Sequence, residues 1–235
     1  MGIVAGVDGR RGGWALALVD VGAGRVVDVT TVAHQDAAGV RDLLGICRDA
    51  GAEAVGVDAP VGLPRDTWRP VDLLAKRRLG RGSSRVFLAA PRGVLAQPTY
   101  AAARVACRQA MQGKGLSVQT YGIRGTVLAM DDVLAASGWA RDHVVEVHPE
   151  LSFMAMAARA PGDPLASKRS ALGRDQRLDA VQRWLPSVRD LDLPAGDDHR
   201  DALAAAWSAH RWVVGAAEVL GGDTDDRDLP MRMVV

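Results

Sequence analysis

Three apolar runs separated by two glycine-bearing turns open the chain, and this order limits the possible folds more than any other feature. Ile3 to Asp8 (IVAGVD) is followed by the turn GRRGG, the run Trp14 to Val19, the turn VGAG and the β-branched run Arg25 to Val32. Short connections of this kind join antiparallel strands, so the spacing predicts a three-stranded meander. Gln35 to Ala50 then places Ala38, Val40, Leu43, Leu44, Ile46 and Cys47 at near-helical spacing, and Gly51 closes that helix. The next run, Glu53 to Asp58 (EAVGVD), is apolar enough to be buried on both faces and reads as parallel to the first strand. A β-β-β-α-β order follows. Asp8 and Asp58 then end two neighbouring parallel strands, at the edge where such sheets collect ligands.

Beyond this unit, Pro60, Gly62 and Pro64 enforce a loop before a helix over Val71 to Leu79. Gly80 to Pro98 reads as a long functional or mobile loop, because irregular segments of that length are otherwise uncommon. Helices are expected over Thr99–Gln112, Thr126–Ala136, Asp175–Leu185 and His199–Leu220, with a buried strand over His143–Val147 and a loop over 159–173. The expected organisation is one α/β domain over residues 1–220, with a loop and helical insertion near 65–140, and an acidic flexible tail over 221–235. A composition of 48% hydrophobic and 24% charged residues supports an ordinary buried core. Cys47 and Cys107 have no Cys or His at metal spacing, and the chain starts in a β-like run with no apolar stretch of membrane length. A reduced, cytoplasmic protein without a membrane partner is therefore expected.

Carboxylates are the candidate chemistry. Asp8, Asp58, Glu146, and Asp198 with Asp201 stand at strand ends or a helix start, in VDGRRGGW, VDAPVGLP, VVEVHPE and DDHRDALAAAW. Hard cations such as Mg²⁺ and Mn²⁺ take oxygen ligands, so acids delivered to one point from distant segments suit a two-ion phosphoryl-transfer site. Each acid also has a plain structural reading. Asp8 before Gly9 suits an Asx turn, Asp58 a turn or cap, and Asp198 and Asp201 a helix N-terminus with its dipole. Glu146 alternates with Val145 and Val147 and so points to the face opposite theirs. Glu150, just after Pro149, is an alternative ligand or a first-turn acid, and His148 between them reads as a neutral structural imidazole.

The net charge of +1 conceals an asymmetry. Lys76, Arg77, Arg78, Arg81, Arg85 and Arg92 fall in a window without an acid, leaving 23 basic against 28 acidic residues elsewhere. Such a strip either tracks phosphates, with Arg77, Arg78 and Arg81 as contacts, or is a solvated helix face.

The segments VAGVDGRRGGW, VGVDAPVGLP, VVEVHPELSF and DDHRDALAAAW resemble the family of predicted RNase H-like nucleases known as domain-of-unknown-function family 429. The likeness spans roughly residues 3 to 215 and includes DLLAKRRLGRGSSRVF and the positions Lys168, Gly173 and Arg177. It implies an RNase H-like mixed sheet of order 3-2-1-4-5 with strand 2 antiparallel, flanked by helices. Ribonuclease H enzymes carry a catalytic Glu on the first helix, whereas Gln35 to Ala50 offers only Asp36, Asp42 and Asp49. The pair Asp198 and Asp201 is more similar to the final-helix Asp-x-x-Asp of Holliday-junction resolvases.

The leading expectation is a metal-dependent nuclease. Asp8 would bridge two Mg²⁺ or Mn²⁺ ions, Asp58, Glu146, Asp198 and Asp201 would complete the site, and Lys168 with the arginine strip would hold nucleic acid. The alternative is a non-catalytic nucleic-acid or nucleotide-binding module of the same fold; the strip reads as lacking aromatic stacking positions, which weighs against strong nucleic-acid affinity. An actin-like ATPase also opens with an Asp-Gly hairpin, but no second Gly-rich phosphate hairpin is visible near mid-chain.

Overall fold

The computed structural model describes residues 2–193 and 196–235. Strands β1 (Ile3–Arg10), β2 (Gly13–Asp20) and β3 (Arg25–Ala33) form the meander, and α1 (Ala37–Asp49) leads to β4 (Ala52–Asp58). A helical stretch follows: α2 (Pro70–Leu79), a 3₁₀ turn (Gly80–Arg85), α3 (Arg92–Leu95), α4 (Tyr100–Ala110), α5 (Val118–Gly122), α6 (Arg124–Ala136) and α7 (Gly138–His143). Then come β5 (Val144–Val147), α8 (Pro149–Met156), α9 (Ala171–Trp184), α10 (Asp198–Val213), β6 (Val219–Thr224) and β7 (Pro230–Val234). The sheet order is β3-β2-β1-β4-β5-β7-β6, with β2 antiparallel to β1 and β4 parallel to it. This is the 3-2-1-4-5 RNase H-like order, extended by two strands.

Those two strands correct the expectation of a flexible tail over 221–235. Met231, Met233, Val234 and Val235 are buried, and β7 pairs in parallel with β5 through Glu146–Met233 and Val147–Val234. The last helix is also shorter than the span to Leu220. It stops at Val213 because Gly215, at φ +68°, returns its N–H to Trp212 while Ala216 bonds Arg211, the paired bonds of a Schellman stop. The connection from Gly80 to Pro98 carries the 3₁₀ turn and α3 instead of being wholly irregular. Among the described residues no helix is long and apolar enough to cross a membrane.

The two faces of the sheet have separate cores. Ala5, Val7, Val55 and Val57 pack with Val40, Leu43 and Cys47 of α1 and Met130, Val133 and Leu134 of α6. On the other face, Val4 and Ala54 pack with Ala202, Leu203 and Ala206 of α10. Gly6 and Gly56 let α10 lie directly on the strands, since a Cβ on Gly6 would stand 1.9 Å from the Ala202 carbonyl oxygen and one on Gly56 2.4 Å from that of Ala205. Backbone cannot yield as a side-chain tip can. Gly6→Ala is therefore expected to destabilise the fold by about 1–3 kcal/mol, the usual range for overpacking. Urea unfolding checks this, and an unchanged midpoint would contradict so close a seat for α10.

Candidate carboxylate site

Register and alternation decide which acids meet. Asp8 and Asp58 are direct partners across the parallel β1–β4 pair, so their side chains leave the sheet on the same face, two residues beyond Gly6 and Gly56 and hence on the α10 side. Asp201, one residue before Ala202, comes from the first turns of α10 to the same place. The three interact strongly. Burial, then the charges of Asp58 and Asp201, and then a side-chain hydrogen bond with Asp58 hold the Asp8 carboxyl well above the usual Asp range, and Lys168 opposes this only weakly. Asp201 is pushed up to about 6, chiefly by burial; Lys168 opposes the shift, while Asp58 and Glu150 add to it. The Lys168 ammonium stands 2.8 Å from Asp201 Oδ2, and the buried Asp201 Oδ1 has no hydrogen-bond partner.

A pH signature follows. A carboxyl raised in the folded state gives stability that is present at low pH and lost as pH rises through its folded value. In chelator at neutral pH, Asp8→Asn is thus expected to raise the urea midpoint. Its advantage should shrink as pH falls and the wild-type carboxyl takes up a proton. An Asp that merely capped a turn would change little on replacement by Asn, which caps about as well.

Glu146 is placed differently. It pairs in register with Val57, one residue before Asp58, so by alternation it leaves the sheet on the face opposite Asp8 and Asp58. There it accepts from the Val61 N–H at 2.9 Å and pairs with the fully buried Arg69, whose guanidinium also donates to the Val61 carbonyl and lies 3.5 Å from Asp72. Burial pushes Glu146 up to about 7 despite the opposing Arg69 charge. The residue lines the cleft, yet its Oε2 is engaged by an arginine and a backbone amide.

Glu150 belongs to the α10 side, close enough to Asp201 to raise it, and is bracketed by Arg177 with both oxygens at 2.7 Å and by Arg85 at 2.5 Å. His148 accepts the Glu150 N–H at Nδ1 and stands 3.2 Å from the Arg85 carbonyl at Nε2, so a neutral Nε2–H tautomer satisfies both nitrogens. Asp198 is half-buried at the rim, 3.6 Å from Arg10.

These groups surround a cleft of about 740 Å³ over the carboxyl ends of the strands, lined by Asp58, Glu146, His148, Glu150, Asp198 and Asp201. Its cations are Arg10 and Arg11 of the β1–β2 turn, Arg85, and Lys168 with Arg169. Arg77, Arg78 and Arg81 do not line it. Arg78 pairs with Glu218, Arg81 with Asp163, and Arg77 is an exposed position of α2. Arg92 is held by Asp131 and Asp225, both at 2.7 Å, and by Asp226. Much of the acid-free window is therefore balanced by acids remote in sequence, including those of the segment expected to be a tail. The cleft cations outside that window are visible in GRRGG and SKRS, where adjacent bases flank the acids or their partner.

Among the described residues no three His, Cys, Asp or Glu side chains already form a metal cage. The residues nevertheless suit a hard cation: three mutually repelling carboxyls share one face, and one buried oxygen among them lacks any partner.

In three dimensions the chain is similar to the Thermus thermophilus RuvC structure, at 19% identity and a TM-score of 0.45 over 91% of this chain and 97% of that one. It is likewise similar to T. thermophilus RuvC in complex with Holliday junction substrate, at 18% identity and 0.46 over 92% and 98%. No curated protein matches the sequence. A family model does, over residues 6–226, and the chain belongs to that family, described as a protein of unknown function (DUF429).

Proposed function

We propose that this protein is a divalent-metal-dependent phosphodiesterase acting on nucleic acid. The observation that carries the reading is the shared face of Asp8, Asp58 and Asp201, with Asp201 Oδ1 buried and unpartnered beside them. Asp8, Asp58 and Asp201 would hold Mg²⁺ or Mn²⁺, with Asp198 at the rim, and two ions are part of the proposal. Such ions supply a nucleophilic water at neutral pH and neutralise charge on the reacting phosphate. Glu146 is assigned a structural role under the cleft floor, holding Arg69 and the Val61 amide. Lys168 favours the charged form of Asp201 and orients it, and its ammonium would also stand within the cleft to meet a phosphate oxygen. Arg10, Arg11 and Arg169 give the cleft its attraction for a polyanion.

The direct test offers single-stranded, duplex and branched oligonucleotides with Mg²⁺ and with Mn²⁺. Cleavage by the wild type and its loss in Asp8→Asn, with binding retained, is the expected result. Arg10→Ala with Arg11→Ala should weaken binding and reduce the salt slope by about 0.7–0.9 for each phosphate no longer neutralised. Arg77→Ala with Arg81→Ala should change neither. Binding without cleavage of any substrate would favour the non-catalytic module, and neither binding nor cleavage would overturn the nucleic-acid reading.

A further inference from the structure

We infer that the insertion supplies a base-stacking subsite, and that the cleft takes an unpaired nucleotide of a single strand in preference to a duplex. This deepens the proposed function and rests on it. The chain has only two phenylalanines. Phe153, on α8, is fully buried, whereas Phe87, just after the 3₁₀ turn, is half-exposed and lines the cleft. Phe87 also lies inside the basic window, so that window does contain an aromatic stacking position.

Ile123, at the junction of α5 and α6, is another exposed apolar side chain lining the cleft, at 43% against 50% for Phe87, and the buried Val86 and Val127 line it too. Half-exposed in the cleft, the Phe87 ring offers a flat apolar face on which a ligand ring can stack. The same cleft carries the acids at its sheet end and Arg10, Arg11, Lys168 and Arg169 around them. A ligand matching both parts has a flat apolar ring joined to a phosphate, which is a nucleotide. Size selects the form. A volume of about 740 Å³ lies in the range of small-molecule clefts, roughly 300–1,000 Å³, and suits a single unpaired nucleotide. A paired base would have to leave its stack before reaching Phe87, and a single strand has already met that requirement.

The test measures binding in chelator, so that it stands apart from cleavage. The probe is a short single-stranded oligodeoxynucleotide carrying 2-aminopurine, whose fluorescence falls on stacking, compared with the same sequence as a duplex. Wild type should bind the single strand more tightly and quench it. Phe87→Ala should weaken that binding about 5- to 150-fold and abolish quenching, the effect of losing one base–aromatic stack, while Phe87→Trp preserves both. Ile123→Ala should give a smaller loss of the same kind. Both side chains are exposed, so an unchanged melting temperature verifies folding. Equal affinity for the two probes, or full quenching in Phe87→Ala, overturns the subsite. Cleavage absent from every substrate while Phe87-dependent quenching persists leaves the subsite standing and removes the catalytic reading instead.

Discussion

Glu146→Ala is expected to destabilise the fold by about 3–5 kcal/mol, the cost of leaving a buried charge without its partner. Arg69 has no exposed surface, and Glu146 is its closest carboxylate, with Asp72 at 3.5 Å as the second. Deleting Glu146 leaves the guanidinium with the more distant Asp72 alone and also removes the acceptor of the Val61 N–H, at the start of the loop that leaves β4. Glu146→Gln should cost less, since the amide oxygen can still accept from Val61. Replacing both partners by apolar residues, Arg69→Met with Glu146→Leu, should recover only part of the loss, because the buried Asp72 then loses its cation and keeps only the Ala89 N–H. Urea midpoints of the single and double variants check this. A Glu146→Ala protein as stable as Asp8→Asn would instead place Glu146 among the crowded, repelling acids.

Much of the fold is legible because strands and glycine turns announce themselves over a few residues. The meander and the parallel position of β4 follow from IVAGVD, GRRGG, VGAG and EAVGVD, and the crossover helix from the apolar spacing between Ala38 and Cys47. The expectations fail where a long-range partner decides the outcome. The acids of DTDDRD suggest a solvated tail; the structure pairs β7 with β5 and Asp225 with Arg92. The segment AAEVL continues the apolar pattern of α10 and so favours a longer helix, although Gly215 supplies the stop.

The candidate site is legible in its residue types and less so in its grouping. The alternation of VVEV already turns Glu146 away from Val145 and Val147. Only the β4–β5 register, Val57 opposite Glu146, reveals that this is also away from Asp58. Pairing partners such as Arg69 for Glu146 and Arg177 for Glu150 lie 77 and 27 residues away, and no local pattern encodes them.

Manganese titration into the metal-free protein should raise its melting temperature by about 5–11 °C when the free ion reaches a hundredfold excess over its dissociation constant. That excess stabilises the native state by about 2.7 kcal/mol, and each kcal/mol moves a chain of this size by about 2–4 °C. The sign reverses an existing penalty. Without a cation, Asp8 and Asp201 are raised by burial and by carboxylates acting on one another, so a divalent charge at that face relieves repulsion as well as gaining ligands. Asp8→Asn should begin higher in chelator and gain little from Mn²⁺, and Asp58→Asn should behave alike. Glu146→Gln should begin lower and keep most of the gain, because its carboxylate serves Arg69 on the other face. Lys168→Met separates the roles further. The ammonium offsets the acids in the free protein, so its loss should lower stability in chelator and enlarge the Mn²⁺ shift. A wild-type melting temperature unmoved at millimolar Mn²⁺ would remove the metal from this site.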